Sequence, residues 1–102
     1  MNTADLKGKS IHDTEVPSAW VLKVWKMQRT FWGYALNNPF GGGGGTSTSF
    51  TSAERLVRDT LSRVPTHMGV KPGDTVLVLV GQGSGDSEVI SRAYYATWGG
   101  AL

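Results

Sequence analysis

An apolar strand followed by a glycine-rich turn constrains the fold of this chain more than any other feature. Residues 75–80 read TVLVLV, a β-branched run that is too short for a helix and typical of a buried strand. Gly81–Gly85 then frees the backbone, and Asp86 can cap a helix that we predict from Glu88 to about Trp98. Turns from the carboxyl end of a strand into a helix commonly hold ligands, phosphates or metals in α/β proteins. This turn is therefore the first candidate for a functional site.

Composition limits the kinds of protein that this chain can be. Its 102 residues suit one domain, residues 1–102, and its 39% apolar and 18% charged content is typical of a globular protein. The absence of cysteine excludes disulfides and thiolate catalysis, and no apolar run approaches the roughly 20 residues that span a bilayer. Residues 1–10 also lack an apolar stretch of signal-peptide length. We therefore expect no membrane partner and an intracellular location, in the cytoplasm or a host-cell interior.

The first half of the chain predicts a hairpin followed by a glycine-rich loop. Residues 1–9 are polar and are expected to be a disordered tail, and residues 10–12 could form a short first strand. Residues 19–27 and 30–36 alternate in polarity and are separated by a short turn, which predicts an antiparallel pair. Residues 37–47 contain five consecutive glycines and are predicted to be a flexible loop. A polar third strand is expected near residues 46–50.

The second half predicts helices around the apolar strand. Thr51 and Glu54 have the spacing of a capping box, and an amphipathic pattern follows until Pro65. The predicted order is therefore β-β-β-α-β-α, in an α+β domain with a small mixed sheet.

Two specific interpretations of the glycine turn fail on its residues. A Walker loop requires a lysine after the glycines, and none follows Gly81. A dinucleotide fingerprint requires a further strand with an acidic residue about 20 positions on, and the chain ends too soon. A serine nucleophile elbow is also absent, because glycines directly flank Ser84 and no histidine follows it.

Three carboxylates could converge at one end of the predicted sheet. Asp13 would follow the first strand, Glu54 would lie in the first helical turn, and Asp86 would follow the fourth strand. Clustered carboxylates bind Mg²⁺ or Mn²⁺, and such ions can activate water in phosphodiester cleavage. The alternative is that Glu54 and Asp86 are simply favourable helix-start residues.

The order of elements resembles that of a ribonuclease-H-like domain. The stretches that resemble this family are Ser18–Trp20, Gly33–Leu36, Ser52–Glu54 and Gly85–Ile90. The resemblance implies that Asp13, Glu54 and Asp86 are catalytic and metal-binding residues. His12 and Thr14 replace the small residue and glycine that flank the family's first aspartate, and the family's fifth strand and fourth acidic ligand are missing.

Cations and aromatic residues alternate around the hairpin and on the first helix, a combination that suits base stacking and phosphate contact. The predicted nucleic-acid-binding residues are Lys23, Trp25, Lys26, Arg29, Arg55 and Arg58. The alternative is that the tryptophans belong to a core face and the cations are merely solvated. Tyr95 and Trp98 fall off the apolar stripe of the last predicted helix and are predicted to bind a protein partner or a second copy.

Two functions follow from these patterns. The first is a nucleic-acid-associated, ribonuclease-H-like domain whose carboxylates would support metal-dependent phosphodiester cleavage. The second is a non-enzymatic interaction or self-assembly module of viral or mobile-element type, which would use exposed aromatic residues and an open sheet edge. The sequence leaves open whether the protein is an enzyme.

Overall fold

The protein is a five-stranded sheet with one α-helix, as seen in a computed structural model that describes residues 3–16, 19–39, 42–82 and 88–100. The elements lie in the order β-β-β-α-β-β. One short 3₁₀ turn, Thr3–Leu6, precedes them, and a second, Thr66–Met68, lies between the helix and the fourth strand. The bounds are β1 Trp20–Gln28, β2 Phe31–Asn37, β3 Gly43–Ser49, α1 Ala53–Ser62, β4 Thr75–Gln82 and β5 Val89–Thr97.

The sheet is mixed, with strand order β3-β2-β1-β4-β5. Only β1 and β4 are parallel, with Leu22 opposite Val78, and the crossover between them carries α1. The pairs β1–β2, β2–β3 and β4–β5 are antiparallel. The hairpin predicted from the alternation of residues 19–27 and 30–36 is confirmed as β1–β2.

The predicted fold class is wrong in its last element and therefore in its topology. Val89–Thr97 is a strand that pairs antiparallel with β4, whereas a helix was expected from Glu88 to about Trp98. The order β-β-β-α-β-α of the ribonuclease-H-like interpretation is not observed, and the edge of β4 that a missing strand would leave open is covered by β5. The β-branched and aromatic residues of this segment fit a strand well. Their helical spacing is accidental.

One face of the sheet packs against α1, which begins one residue later than the predicted capping box implies. The Ser52 hydroxyl accepts a hydrogen bond from the Arg55 backbone N–H at 3.2 Å, so Ser52 rather than Thr51 is the N-cap. Leu56, Val57 and Leu61 of the helix are almost fully buried. They pack on the side chains of the sheet that point to this face, which include Leu22, Val24, Val76, Val78, Val80 and Trp98.

The opposite face, which we call the second face, is partly covered by the N-terminal segment. Leu6 and Ile11 are 2% and 0% exposed and pack with Val21, Leu77, Leu79 and Ile90. Residues 3–6 therefore form an ordered turn within the stretch that was expected to be a disordered tail. The predicted first strand at residues 10–12 is reduced to a single bridge, between Ser10 and Val89.

The glycine run contributes to the sheet in spite of its composition. Gly43, Gly44 and Gly45 pair with Asn37, Leu36 and Ala35 as the first half of β3, where the sequence predicts a loop over residues 37–47. Glycine has no side chain that could pack and stabilise a strand, so this part of β3 is held by its backbone hydrogen bonds to β2. The result is an edge strand with almost no side-chain bulk.

Candidate functional site

The β1–β2 turn, the start of α1 and the carboxyl ends of β1 and β4 lie at the same end of the sheet, which we call the carboxyl end. The direction of α1 follows from two contacts. Its last turn lies at the other end, where the Gly99 N–H donates to the Leu61 carbonyl at 2.8 Å. Its first turn lies near the end of β4, because Glu54 contacts Arg92 and Arg92 pairs with Val80. In open α/β sheets ligands bind outside the carboxyl ends of the strands.

The hairpin tip brings two of the predicted cations to the carboxyl end. Lys26 and Arg29 are exposed, and Arg29 takes a positive φ of 26° in the tight turn. The neighbouring Phe31 is 37% exposed. The Phe50 N–H donates to the Thr30 carbonyl at 2.7 Å and so ties the segment before α1 to this tip. The hairpin and the helix start therefore form one continuous surface.

Two further predicted cations line an open groove of about 560 Å³ between α1 and the end of β3. These are Arg55 and Arg58, which are both exposed. The one carboxylate of the groove, Asp59, is paired with Arg63 at 2.8 Å. Within the described residues, neither Arg55 nor Arg58 has an acidic partner. The groove residues are Ser49, Phe50, Thr51, Arg55, Arg58, Asp59 and Ser62.

Glu54 is engaged in a different contact from the one predicted. Its Oε1 lies 2.7 Å from Nη1 of Arg92, whose guanidinium carbon is 5.2 Å from the centre of the Tyr94 ring. Both charged side chains are more than half exposed, so the pair adds little stability. It does neutralise Glu54 and leaves the cations of the groove as the dominant charges nearby.

The three predicted metal-binding carboxylates are not brought together as a group. Glu54 lies on α1, whereas Asp13 lies on the N-terminal segment that covers the second face, beside Lys23. Asp86 lies outside the described residues. Among the residues that are described, no group of three histidine or acidic side chains could hold a metal ion. Because α1 and the N-terminal segment cover opposite faces, Asp13 and Glu54 lie on opposite sides of the sheet.

Lys23 is not available as a surface cation. It is only 7% exposed, and its Nζ donates a hydrogen bond to the Thr14 carbonyl at 2.7 Å. Burial lowers the pKa of Lys23 below its ordinary value of 10.5, and the nearby carboxylates of Glu15 and Asp13 oppose this shift. This lysine holds the N-terminal segment onto the second face.

The pKa of Lys23 predicts a specific pH dependence. Because folding lowers this pKa, the folded state loses the proton before the unfolded state does, and stability rises as the pH approaches 10.5. Replacing Lys23 by methionine removes this contribution. We therefore expect the free energy of unfolding of the native protein, relative to that of Lys23→Met, to be larger at pH 10 than at pH 7 in urea titrations.

The native protein is compared with Lys23→Met because Tyr94 changes the pH dependence of stability in the opposite direction to Lys23. Burial raises the pKa of Tyr94 above 10.0, so its contribution to stability is present below pH 10.0 and is lost as the pH rises through the folded-state pKa. Both proteins contain Tyr94, so its effect cancels in the difference. A difference that stays constant from pH 7 to pH 10 would contradict the burial of a charged Lys23.

Sequence reasoning missed a contact between the two ends of the chain. Glu88 has a side chain 5% exposed, and its Oε2 lies 3.5 Å from Nε2 of His12. The His12 ring packs edge-on against Trp25, with ring centres 4.8 Å apart, and Trp25 in turn covers Gly33. When His12 is protonated, this contact is an ion pair that helps to fix the N-terminal segment. No local pattern joins residues so distant in sequence, and the helix expected at Glu88 concealed its burial.

The two predicted partner-binding aromatic residues have different environments. Tyr95 is 51% exposed on the second face of β5, as a binding residue would be. Trp98 is 1% exposed and packs in the core beside Trp20, so the prediction of an exposed Trp98 is wrong. Trp25 is half-buried on the second face, at the level of the hairpin.

Comparison with known proteins does not assign this arrangement to a family. No protein-family model, curated protein or solved structure matches the chain. In the described part of the chain, no helix has the length and apolar character needed to cross a membrane. The function is therefore argued from the geometry of the carboxyl end.

Proposed function

We propose that this domain binds the phosphate backbone of single-stranded nucleic acid at the carboxyl end of its sheet. One observation supports the proposal above the others. The hairpin and α1, which are distant in sequence, place four exposed cations at the same end of the molecule, and no described acidic side chain pairs with them. These cations are Lys26, Arg29, Arg55 and Arg58.

The chemistry of these side chains suits phosphate. Arginine presents a planar fork of donors that matches two phosphate oxygens, and three of the four cations are arginines. The net charge of the whole chain is only +2, so a general electrostatic attraction is weak. Attraction of a polyanion must therefore come from a local concentration of charge, which the carboxyl end provides.

Aromatic side chains beside the cations favour a single strand over a duplex. Phe50 lines the groove together with Arg55 and Arg58. Phe31 is 37% exposed at the hairpin tip, on the second face, because it alternates with Trp32 of the helix face. Unpaired bases stack on such side chains, whereas the bases of a duplex are stacked on one another. The groove is open, as a flexible strand lying along it requires.

The proposal concerns binding and assigns no cleavage to Asp13 or Glu54. These carboxylates are on opposite sides of the sheet, and Glu54 is paired with Arg92. Ligands of one ion must all lie within about 2–2.6 Å of it, which this placement does not favour.

Binding is tested most simply with fluorescently labelled oligouridine RNA, oligothymidine DNA and duplex DNA at low salt. We expect the native protein to raise the anisotropy of both single strands at lower concentrations than that of the duplex. Arg55→Glu is expected to weaken single-strand binding by about tenfold, since it removes one phosphate contact and introduces repulsion.

A variant matched in charge separates a local site from general electrostatics. Lys71 is exposed before the start of β4, at the opposite end of the sheet, so Lys71→Glu changes the net charge by the same amount as Arg55→Glu without touching the groove. We expect Lys71→Glu to change the affinity by less than about twofold. Equal losses in the two variants, or no binding by the native protein at low salt, would contradict the proposed site.

A further inference from the structure

We infer that two copies of this chain associate through the outer edge of β5, between Arg92 and Thr97, to form one continuous antiparallel sheet. This edge lies at the far side of the sheet from β3 and the groove, because the strand order is β3-β2-β1-β4-β5. The inference is therefore independent of nucleic-acid binding.

The first part of the β5 edge is already paired with the chain's own N-terminal segment. The Ile11 N–H donates to the Glu88 carbonyl at 3.2 Å, and the Ile90 N–H donates to the Lys9 carbonyl at 2.8 Å. The Gly8 N–H completes this pairing by donating to the Ile90 carbonyl at 2.8 Å. In the described part of the chain, no backbone partner lies along the outer side of the strand from Arg92 to Ala96, and at its end the Thr97 carbonyl accepts a hydrogen bond from the Gly100 N–H at 3.1 Å. An unpaired row of backbone donors and acceptors is a template for another strand.

The open part of β5 lacks the features that normally prevent such pairing. Proteins block exposed edges with prolines, lysines or inward-pointing charges, and residues 92–97 contain neither proline nor lysine. The one charged residue, Arg92, is paired with Glu54 of the same chain at 2.7 Å. The bulge in β5 is at the end that is already covered, opposite Val80 and Gly81.

The other edge of the sheet is a poorer candidate. Strand β3 reads GGGTSTS, so it offers backbone groups but very little apolar area to bury. The open part of β5 reads RAYYAT and includes Tyr95, which is 51% exposed. Burial of tyrosine contributes far more to association than burial of glycine or serine does.

The sequence of this strand is complementary to itself. In an antiparallel pair, opposing residues point to the same face, so a symmetric pair must be centred on a residue rather than between two residues. Centring on Tyr94 places the large Tyr95 opposite the small Ala93 of the other copy, on the second face. On the helix face it places Arg92 opposite Ala96 of the other copy. No like charges meet, Tyr95 and Arg92 each face an alanine, and at the centre Tyr94 packs against Tyr94 of the other copy on the helix face.

The N-terminal segment restricts the choice of centre. Centring on Ala93 would bring the end of one β5 against residues 8–11 of the other copy, since these residues already occupy the edge beside Ile90. Centring on Tyr95 avoids this clash but leaves Arg92 without a partner and shortens the pairing. Tyr94 is therefore the centre that uses the most open edge.

A pair of substitutions at Ala96 tests the dimer and its register together. In the Tyr94-centred pair each residue 96 faces Arg92 of the other copy, so Ala96→Glu adds two attractive contacts and Ala96→Lys adds two repulsive ones. By sedimentation equilibrium of the full chain, we expect Ala96→Glu to associate at least about tenfold more tightly than Ala96→Lys. Both substitutions put a long charged side chain at the same place, which controls for effects on folding.

Cysteine cross-linking gives a second test that does not depend on charge, because the native chain contains no cysteine. We expect a mixture of the Ala93→Cys and Tyr95→Cys proteins to form a disulfide-linked heterodimer on mild oxidation, in higher yield than either protein alone. Ser47→Cys, on the exposed edge of β3, is the matched control and should remain uncross-linked. A native protein that is monomeric at every concentration, equal association of the two Ala96 variants, or preferential linkage through Ser47→Cys would overturn the inference.

Discussion

Replacing Trp98 by alanine is expected to lower the free energy of unfolding by about 3–5 kcal/mol, the largest effect on stability that we expect from a single substitution in this chain. Trp98 is 1% exposed, and its ring meets that of Trp20 edge-on with centres 6.2 Å apart. The backbone on either side is also anchored, because the Trp98 N–H donates to Asp74 and the Gly99 N–H donates to Leu61. The Trp98 ring thus packs in the core between α1 and the sheet, and its removal leaves a cavity there.

Urea unfolding followed by circular dichroism measures this effect, with Tyr95→Ala, in the strand β5 that directly precedes Trp98, as the control. Tyr95 is 51% exposed, so its replacement is expected to cost less than about 1 kcal/mol. Trp98→Phe is expected to cost much less than Trp98→Ala, because it keeps most of the apolar area and removes a buried indole N–H that lacks a partner within the described residues. Equal costs for Trp98→Ala and Tyr95→Ala would mean that the chain after Ser91 is not strand β5.

Removing the three arginines at the carboxyl end is expected to weaken single-strand binding by at least about a hundredfold, the largest effect on function in our account. The triple variant Arg29→Ala, Arg55→Ala, Arg58→Ala takes one cation from the hairpin and two from the groove. All three side chains are exposed, so replacing them by alanine creates no cavity and is expected to change the stability of the fold little. Binding is measured by fluorescence anisotropy with oligouridine, and folding is checked by thermal melting.

The matched control for this variant is a triple replacement of lysines, at Lys7, Lys9 and Lys71. These residues are exposed and carry the same total charge, but Lys7 and Lys9 lie beside β5 and Lys71 lies before β4. We expect the lysine variant to lose less than about fivefold in affinity. If both triple variants lose affinity equally, binding depends on net charge, and the carboxyl end is not a site.

The sequence predicts the centre of the fold better than its ends. The hairpin β1–β2, the helix α1 and the strand β4 all follow from local patterns, namely alternation, an amphipathic stripe ended by Pro65, and an apolar run. The last element was mistaken because the apolar residues after Glu88 fit a helical spacing as well as a strand. The pairing of β5 with β4 decides between the two, and a single sequence does not show that pairing.

The candidate site was predicted in part, and its errors have a similar cause. Lys26, Arg29, Arg55 and Arg58 are exposed as expected, since turns and polar helix faces are exposed wherever they occur. Lys23 was expected on the surface as well, but the N-terminal segment covers it. That segment packs through Leu6 and Ile11, whose isolated apolar side chains gave no periodic signal.

The salt dependence of single-strand affinity tests the central claim most directly. Each phosphate neutralised on a single strand contributes a slope of about −0.7 to the plot of log affinity against log salt concentration. If Arg29, Arg55 and Arg58 each contact a phosphate, the triple arginine variant should have a slope smaller in magnitude by about 2 than that of the native protein, and the triple lysine variant should keep nearly the native slope. Identical slopes for the native protein and the arginine variant would contradict phosphate binding at the carboxyl end of the sheet.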